Sequence, residues 1–137
     1  MKLRQVVIAA AGRSTRTYPL TLDLAKGMLP IGGIPLLERN LNQLIGLVDE
    51  VIFVVGYRKD DIINHFGEEY RGLKISYVVQ TKQLGTGDAV RQCQSRLEGR
   101  FMFMNGDDLF ARADIERCLA HDYAILATRV DDPTKFA

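Results

Sequence analysis

The residues best suited to chemistry in this chain of 137 residues begin with a loop that carries small residues and cations. Gly12 follows a run of strand-forming residues, Arg13 and Arg16 come just after it, and Lys26 lies ten residues beyond Arg16. Small residues let a backbone approach a ligand closely, and fixed cations favour a ligand that is anionic. The loop therefore predicts a polyphosphate site. It is neither a Walker loop nor a dinucleotide fingerprint, and an ordinary turn with solvated arginines and a surface lysine stays open as the alternative.

A second polar feature follows an apolar run in the middle of the chain. Gln80 and the segment 83–87, Gln-Leu-Gly-Thr-Gly, supply amide side chains and backbone groups that no bulky side chain covers. Such groups suit the hydrogen-bonding edge of a nucleobase, which backbone N–H and C=O groups can read directly. The alternative is a glycine-bearing loop that leads into the N-terminus of a helix.

A third feature is a pair of carboxylates after another buried run. Asp107 and Asp108 follow Gly106 at the end of a predicted strand. Mg²⁺ favours one or two carboxylates together with substrate phosphates, and this segment could supply the carboxylates. An aspartate-rich turn or a helix cap explains the same residues without a metal.

Alternating strands and helices must position these features. Apolar runs predict strands over 3–10, 51–55, 74–80, 101–104 and 123–130. Helical spacing predicts helices that open at Pro35 and run to Val48, that end before Gly67, that run from a capping Thr86 to Leu97, and that carry Ala111 to Leu119. The alternation indicates an α/β fold with a mainly parallel sheet. Ligands bind beyond the carboxyl ends of such strands, so the three features are expected to converge on one edge.

Composition narrows the function classes. A formal net charge of +1 and an apolar fraction of 47% are typical of a soluble globular protein of one domain. No basic excess supports nucleic-acid binding, and no apolar run approaches a membrane span. Cys93 and Cys118 fall at apolar helical positions and are expected to be inert thiols, which fits a reducing cytoplasm. His65 and His121 are expected in solvated or capping roles.

Several motifs, in this order and spacing, resemble those of the nucleotidyltransferases that make nucleotide sugars, the glucose-1-phosphate thymidylyl- and uridylyltransferases and their relatives. The matching segments cover nearly the whole chain: Ala10-Ala11-Gly12-x-x-Thr15-Arg16, Pro19-x-Thr21, Lys26-x-Met28-Leu29-Pro30, Pro35, Gln80, Gln83-Leu84-Gly85-Thr86-Gly87 and Gly106-Asp107. The resemblance implies a Rossmann-like, glycosyltransferase-A-type fold with helices on both faces of the sheet. It also implies transfer of a nucleotidyl group from an NTP, UTP or dTTP, to a sugar 1-phosphate, which releases pyrophosphate and requires Mg²⁺.

The resemblance also assigns roles to residues. Arg16 would hold the leaving phosphates, Lys26 would neutralise charge near the α-phosphate, and Asp107 would carry the metal. The nucleotide-binding residues that it implies are Ala10, Ala11, Gly12, Arg13, Ser14, Thr15, Gln80, Gln83, Gly85 and Thr86. Among these, Ala11 and Gly12 would lie against the base and sugar, and Gln80 and Gly85 would read the base. A sugar 1-phosphate is already ionised near neutral pH, so the chemistry needs no general base and rests on positioning and charge neutralisation.

Some features depart from the family pattern. Ser14 stands where many members carry glycine, and Ala25 and Gly27 replace the prolines that often flank the lysine.

Residues 1–137 are expected to form a single nucleotide-binding domain, with the acceptor-binding part and a second metal-binding acidic residue beyond Ala137. A homo-oligomer that completes the site is a further expectation. Two other functions stay open: a nucleotide-binding module or regulatory subunit without chemistry, and cytidylyl transfer to phosphocholine or a similar alcohol phosphate.

Overall fold

A computed structural model describes residues 2–136 of the chain. Met1 and Ala137, the two ends of the predicted domain, lie outside the described residues. The strands are β1 (Leu3–Ala10), β2 (Pro30–Ile31), β3 (Ile34–Pro35), β4 (Val48–Val55), β5 (Glu69–Tyr70), β6 (Leu73–Val79) and β7 (Phe101–Asn105). The α-helices are α1 (Leu36–Leu44), α2 (Lys59–Phe66), α3 (Thr86–Gln92) and α4 (Arg112–Leu119).

Five of the strands form one sheet in the order β5-β6-β4-β1-β7, and β2 and β3 form a small hairpin. β6, β4, β1 and β7 are parallel, whereas β5 pairs antiparallel with β6 at the edge. The chain adds β4 and β6 on one side of β1 and then crosses to place β7 on the other side. This reversal of strand order creates a crevice at the carboxyl ends of β1 and β7, where ligands bind in open α/β sheets.

The central strands are buried on both faces, because their side chains alternate between two apolar clusters. Val6 and Ile8 of β1 pack with α1, α2 and α4, and Val7 between them packs with α3 on the opposite face. The continuous apolar runs of the sequence are therefore explained by helices on both sides of the sheet. The predicted α/β fold with a mainly parallel sheet is confirmed.

The predicted strand over 123–130 is wrong. These residues have no regular secondary structure, and Tyr123 and Ile125 are 97% and 92% exposed. β-propensity reports how well a side chain fits a paired and half-buried surface. Within residues 2–136 no strand pairs with this stretch, so its β-branched and aromatic residues have no ladder to join.

Two helix boundaries also differ from the prediction. The first helix ends at Leu44, Gly46 has a positive φ of 79°, and Val48 begins β4 rather than ending the helix. The helix after β6 has Gly85 at its N-cap, so Thr86 is its first residue and makes no side-chain cap hydrogen bond. That helix ends at Gln92, and Leu97 lies beyond it in an extended conformation.

No helix among residues 2–136 combines the length and the apolar character needed to cross a membrane.

Candidate functional site

The carboxyl ends of the central strands are tied to one another by backbone hydrogen bonds and by close approach of glycines. Gly106 N–H donates to the carbonyl oxygen of Ala9 over 2.8 Å, and Gln80 N–H donates to that of Val55 over 2.8 Å. A Cβ on Gly56 would lie 2.9 Å from the carbonyl oxygen of Gln80, so only glycine fits there. The end of β1 and the segments that follow β4, β6 and β7 are thereby held at one edge of the sheet.

The loop after β1 folds around one carbonyl group. The Ser14 carbonyl oxygen accepts from Thr17 N–H at 3.1 Å, from Thr17 Oγ1 at 2.8 Å and from Thr21 Oγ1 at 3.1 Å. Ser14 itself adopts a left-handed conformation with φ of 53°, which glycine would adopt without strain. A single 3₁₀ turn over Thr15–Thr17 follows and carries Arg16.

The backbone on both sides of Lys26 is restrained by features that a proline would disrupt. Ala25 N–H donates to Asp61 Oδ2 over 3.0 Å, and proline has no N–H to donate. A Cβ on Gly27 would lie 2.6 Å from Leu37 Cδ1, so any larger residue there would require the buried leucine to move. The absence of flanking prolines thus coincides with two other restraints on the backbone that carries Lys26. The Arg58 hydrogen bond to Asp61 lowers the pKa of the Asp61 carboxyl, which therefore stays an ionised acceptor at neutral pH.

Lys26 and Asp107 form an ion pair across the crevice. Lys26 Nζ lies 3.3 Å from Asp107 Oδ2, and the two side chains are 29% and 54% exposed. They are 81 residues apart in sequence, and the fold brings them together beside the carboxyl ends of β1 and β7.

The two predicted amide side chains are oriented by hydrogen bonds. Gln83 Nε2 donates to the Ala11 carbonyl oxygen over 2.8 Å, which fixes the loop after β6 against the end of β1. Gln80 is only 5% exposed, and its Nε2 donates to Asp88 Oδ2 over 2.8 Å and to the Gly85 carbonyl oxygen over 3.4 Å.

A cavity of about 210 Å³ lies at this edge. Its lining includes ten of the predicted site residues, which are Ala10, Ala11, Gly12, Ser14, Lys26, Gln80, Gln83, Gly85, Thr86 and Asp107. Arg13, Thr15 and Arg16 are not among the lining residues. The Arg13 guanidinium instead lies 5.3 Å from the centre of the Tyr57 ring, while Thr15 and Arg16 are exposed on their turn.

No site role was predicted from the sequence for five lining residues, which are Ala9, Gly27, Ala89, Asn105 and Gly106, although Gly106 was expected at this edge. Asn105 had a signal that could have identified it, since it is the polar residue that ends an apolar strand on the edge where ligands bind. Ala9 and Ala89 offered none, because an alanine in a strand or a helix is expected in the core.

The neighbouring residues Asp107 and Asp108 line different cavities. Asp107 lines the crevice, whereas Asp108 lines a different cavity, and its carbonyl oxygen accepts from Asn40 Nδ2 over 2.7 Å. Within residues 2–136 no group of three or more His, Cys, Asp or Glu side chains could hold a metal ion. Asp107 alone fits the one-carboxylate case of Mg²⁺ coordination, in which phosphates supply further ligands.

The other titratable candidates lie away from the crevice. His65 Nε2 is 3.2 Å from Glu38 Oε2 at the surface, and His121 borders the second cavity. Cys93 is a buried free thiol whose pKa is raised by desolvation, and Cys118 is a half-buried free thiol. The second cavity, of about 450 Å³, runs beside β7 and is lined mainly by apolar residues.

Comparisons with known proteins identify the family of the chain. The family model described as nucleotidyl transferase matches residues 5–136. The bifunctional protein GlmU of Methanococcus vannielii is 40% identical over 130 residues, which cover 95% of this chain and 30% of that protein. UTP–glucose-1-phosphate uridylyltransferase AglF of Haloferax volcanii is 41% identical over 107 residues, which cover 77% of this chain and 44% of that protein.

A solved structure shows the same fold. UDP-glucose pyrophosphorylase from Acinetobacter baumanii superposes with a TM-score of 0.75 at 20% identity and covers 86% of this chain and 53% of that one. The chain thus spans about a third to a half of the length of the proteins that it resembles.

Proposed function

We infer that this chain, which belongs to the nucleotidyl transferase family, binds the nucleoside triphosphate in a reaction that transfers a nucleotidyl group to a sugar 1-phosphate. The products would be a nucleotide sugar and pyrophosphate, and we propose UTP or dTTP as the donor. The observation that carries this proposal is the single crevice that Lys26, Asp107, Gln80 and the backbone at the end of β1 share. The Lys26 cation would bind the phosphates, the Asp107 carboxylate the metal and the Gln80 amide the base. These three groups therefore match the three parts of a metal-bound nucleotide.

The residues of the crevice support catalysis by positioning. The Lys26 ammonium can lie against the α-phosphate and neutralise charge that develops there during transfer. Arg16, on the exposed turn next to the crevice residue Ser14, is proposed to bind the leaving phosphates. The lining of the crevice includes no histidine, cysteine or tyrosine within residues 2–136, and an ionised sugar phosphate needs no general base.

Asp107 is the residue that we propose to hold Mg²⁺ together with the phosphates of the nucleotide. When bound, the metal would neutralise phosphate charge and orient the triphosphate. Lys26 already balances the Asp107 carboxylate at 3.3 Å, so the free site holds both charges at the surface without burying either one unpaired.

Titration calorimetry with UTP and Mg²⁺ tests the nucleotide part of the proposal. Lys26→Ala and Asp107→Asn are each expected to weaken binding by about 10- to 100-fold, the effect of losing a hydrogen bond to a charged group. Lys2→Ala and Asp49→Asn are the matched controls, because that lysine and aspartate form an exposed ion pair of 2.6 Å outside the crevice. Equal losses in both pairs of variants would reject the site, and so would absence of UTP binding to the wild-type chain.

Pyrophosphate release tests the chemistry. The assay combines each NTP with a panel of hexose 1-phosphates, and turnover with UTP or dTTP is the expected result. Binding without turnover for any pair would favour a nucleotide-binding module or regulatory subunit instead. Turnover only with CTP and phosphocholine or a similar alcohol phosphate would favour cytidylyl transfer.

We also propose that residues 1–137 act as one domain in a reducing cytoplasm. The continuous sheet and the two free thiols, Cys93 and Cys118, support this proposal. A homo-oligomer stays a prediction, for which the mass of the protein in solution is the direct measurement.

A further inference from the structure

The orientation of the Gln80 amide is determined by its partners. Its Nε2 faces the Asp88 carboxylate at 2.8 Å and the Gly85 carbonyl oxygen at 3.4 Å. A carbonyl oxygen and an ionised carboxylate can only accept hydrogen bonds. The NH₂ group of Gln80 must therefore point toward them, since the reversed amide would bring its oxygen against two acceptors.

Asp88 lies in the first turn of α3 and is itself held in place by residues of the next turn. Its Oδ2 accepts from Gln80 Nε2. Its Oδ1 accepts from Gln92 Nε2 at 3.4 Å and lies 3.3 Å from an Arg91 guanidinium nitrogen. The Asp88 side chain is only 7% exposed. The Gln80 hydrogen bond, with further contributions from Gln92 and Arg91, lowers the pKa of the Asp88 carboxyl, which keeps it ionised.

The other end of the Gln80 amide is available to a ligand. Gln80 lines the crevice, and its Oε1 accepts no hydrogen bond from the residues that the structure describes. Among the same residues no buried side-chain nitrogen or oxygen lacks a partner, so this oxygen is not enclosed. Gln80 thus presents a fixed acceptor, and no donor, to whatever occupies the crevice.

We propose that Asp88 is a positioning residue that sets the base preference of the site by fixing which end of the Gln80 amide faces the nucleotide. An acceptor at Oε1 pairs with the N3–H of uracil or thymine. Cytosine carries a lone pair at N3, which would oppose the same oxygen. The inference rests on the proposed function, because it assigns Gln80 to the base of a bound nucleotide.

Asp88→Asn provides a sharp test because the two oxygens of Asp88 have different partners. The new amide oxygen is expected on the side of Arg91 and Gln92, which both donate, and the new NH₂ group then faces Gln80. Gln80 is expected to turn over to accept from it, which gives up only the longer hydrogen bond of 3.4 Å to the Gly85 carbonyl oxygen, and its own NH₂ then points into the crevice. That arrangement suits the N3 lone pair of cytosine and opposes the N3–H of uracil.

The experiment measures dissociation constants for UTP and CTP, each with Mg²⁺, by calorimetry on the full chain. The wild-type chain is expected to prefer UTP by on the order of 10- to 100-fold, the effect of one mismatched buried polar contact. Asp88→Asn is expected to lower that preference by about tenfold or more. Asp114→Asn is the matched control, since Asp114 lies in the first turn of α4 and also forms an i,i+3 ion pair of 3.3 Å, with Arg117. It should leave the preference unchanged.

The outcomes separate this inference from the proposed function. If the wild-type chain binds neither nucleotide, the proposed function fails. If UTP binds and CTP binds equally well, the fixed acceptor does not discriminate and the inference is overturned, whatever the variant does. The inference is also overturned if Asp88→Asn weakens both nucleotides by the same factor, which is what a purely structural role predicts. Circular dichroism of each variant confirms that the compared proteins are folded.

Discussion

Asn40 is a buried residue that ties the core to the loop that follows Asp107. It lies on α1 with no exposed surface, and it contacts the loop that follows Asp107 twice. Its Nδ2 donates to the Asp108 carbonyl oxygen over 2.7 Å, and its Oδ1 accepts from Phe110 N–H over 3.3 Å. Asn40→Asp keeps the shape of this side chain and changes only what it can donate, which makes the effect calculable.

The expected loss of stability depends on ionisation of the new carboxyl group. As a carboxylate it can still accept from Phe110 N–H, but it cannot donate to the Asp108 carbonyl oxygen. A buried charge that lacks a compensating partner costs about 3–5 kcal/mol of unfolding free energy. As a protonated acid the group has one donor and one acceptor, like the amide, so the protein should lie within about 1 kcal/mol of wild type.

The sign of the pH dependence follows from burial. Burial raises the pKa of the introduced carboxyl in the folded state above its unfolded value of about 3.9. Below that pH both states are protonated and the loss is small. As the pH rises the unfolded state ionises first, so the loss grows by about 1.4 kcal/mol per pH unit until the folded state ionises as well.

Urea denaturation followed by circular dichroism measures the effect at about pH 5 and pH 8. The variant is expected to lose clearly more stability at the higher pH. Asn64→Asp on the exposed surface of α2 is the control, since it makes the same chemical change in water. A loss of stability that is equal at both pH values would refute the assigned donor and acceptor roles. A loss no larger than that of the control would refute the role of the two hydrogen bonds.

Three further substitutions have effects that urea denaturation can measure. Gly106→Ala is expected to cost about 1–3 kcal/mol, because the added Cβ would collide with the Ala9 carbonyl oxygen; an unchanged midpoint would contradict this close approach. Arg71→Asn is expected to stabilise the protein by about 1 kcal/mol, because this residue has φ of 47° in the two-residue turn between β5 and β6; a lower midpoint would show that the contacts of the arginine outweigh its strain. The hydrogen bond from Arg58 lowers the pKa of Asp61 below its ordinary value of 3.8, so the stability that this carboxylate supplies is present above that value and is lost as the pH falls through its folded-state pKa. Asp61→Asn should therefore show a smaller difference in midpoint between about pH 3 and pH 6 than wild type does, and an equal difference would contradict the lowered pKa.

The fold could be predicted wherever one pattern had a single structural explanation. The run Leu3–Ala10 is apolar at six of its eight positions, as expected for a strand covered on both faces, and β1 is confirmed to the residue. Val48 continued the helical spacing of α1, yet the helix ends at Leu44, Gly46 has a positive φ of 79°, and Val48 starts β4. Strand propensity over 123–130 was equally misleading, because a strand depends on a neighbour that local sequence does not reveal.

The candidate site could likewise be predicted only in part. Lys26 and Asp107 were predicted to share an edge because the order of strands in a parallel sheet brings the residues after them together. The partners of the buried amides could not be predicted. Asn40 meets a carbonyl group 68 residues away. Gln80 follows β6 and meets Asp88 of α3 across a loop whose conformation the local sequence does not determine. The residue type shows which donors and acceptors a side chain offers. Only the packed structure shows which partners they meet.

The ion pair between Lys26 and Asp107 shows how this fold prepares a site at little cost in stability. Both side chains retain contact with water, at 29% and 54% exposure, and such exposed pairs contribute only about 0–1 kcal/mol. The pair therefore adds little to the stability of the fold, and separating its members to admit a ligand requires little free energy. A ligand that is anionic alone would gain from the lysine and be repelled by the aspartate, and a cation alone would meet the reverse. A ligand that brings both charges, as a metal-bound triphosphate does, satisfies both residues at once. We therefore expect this pair, whose charged atoms lie 3.3 Å apart, to favour the combined ligand over either of its parts.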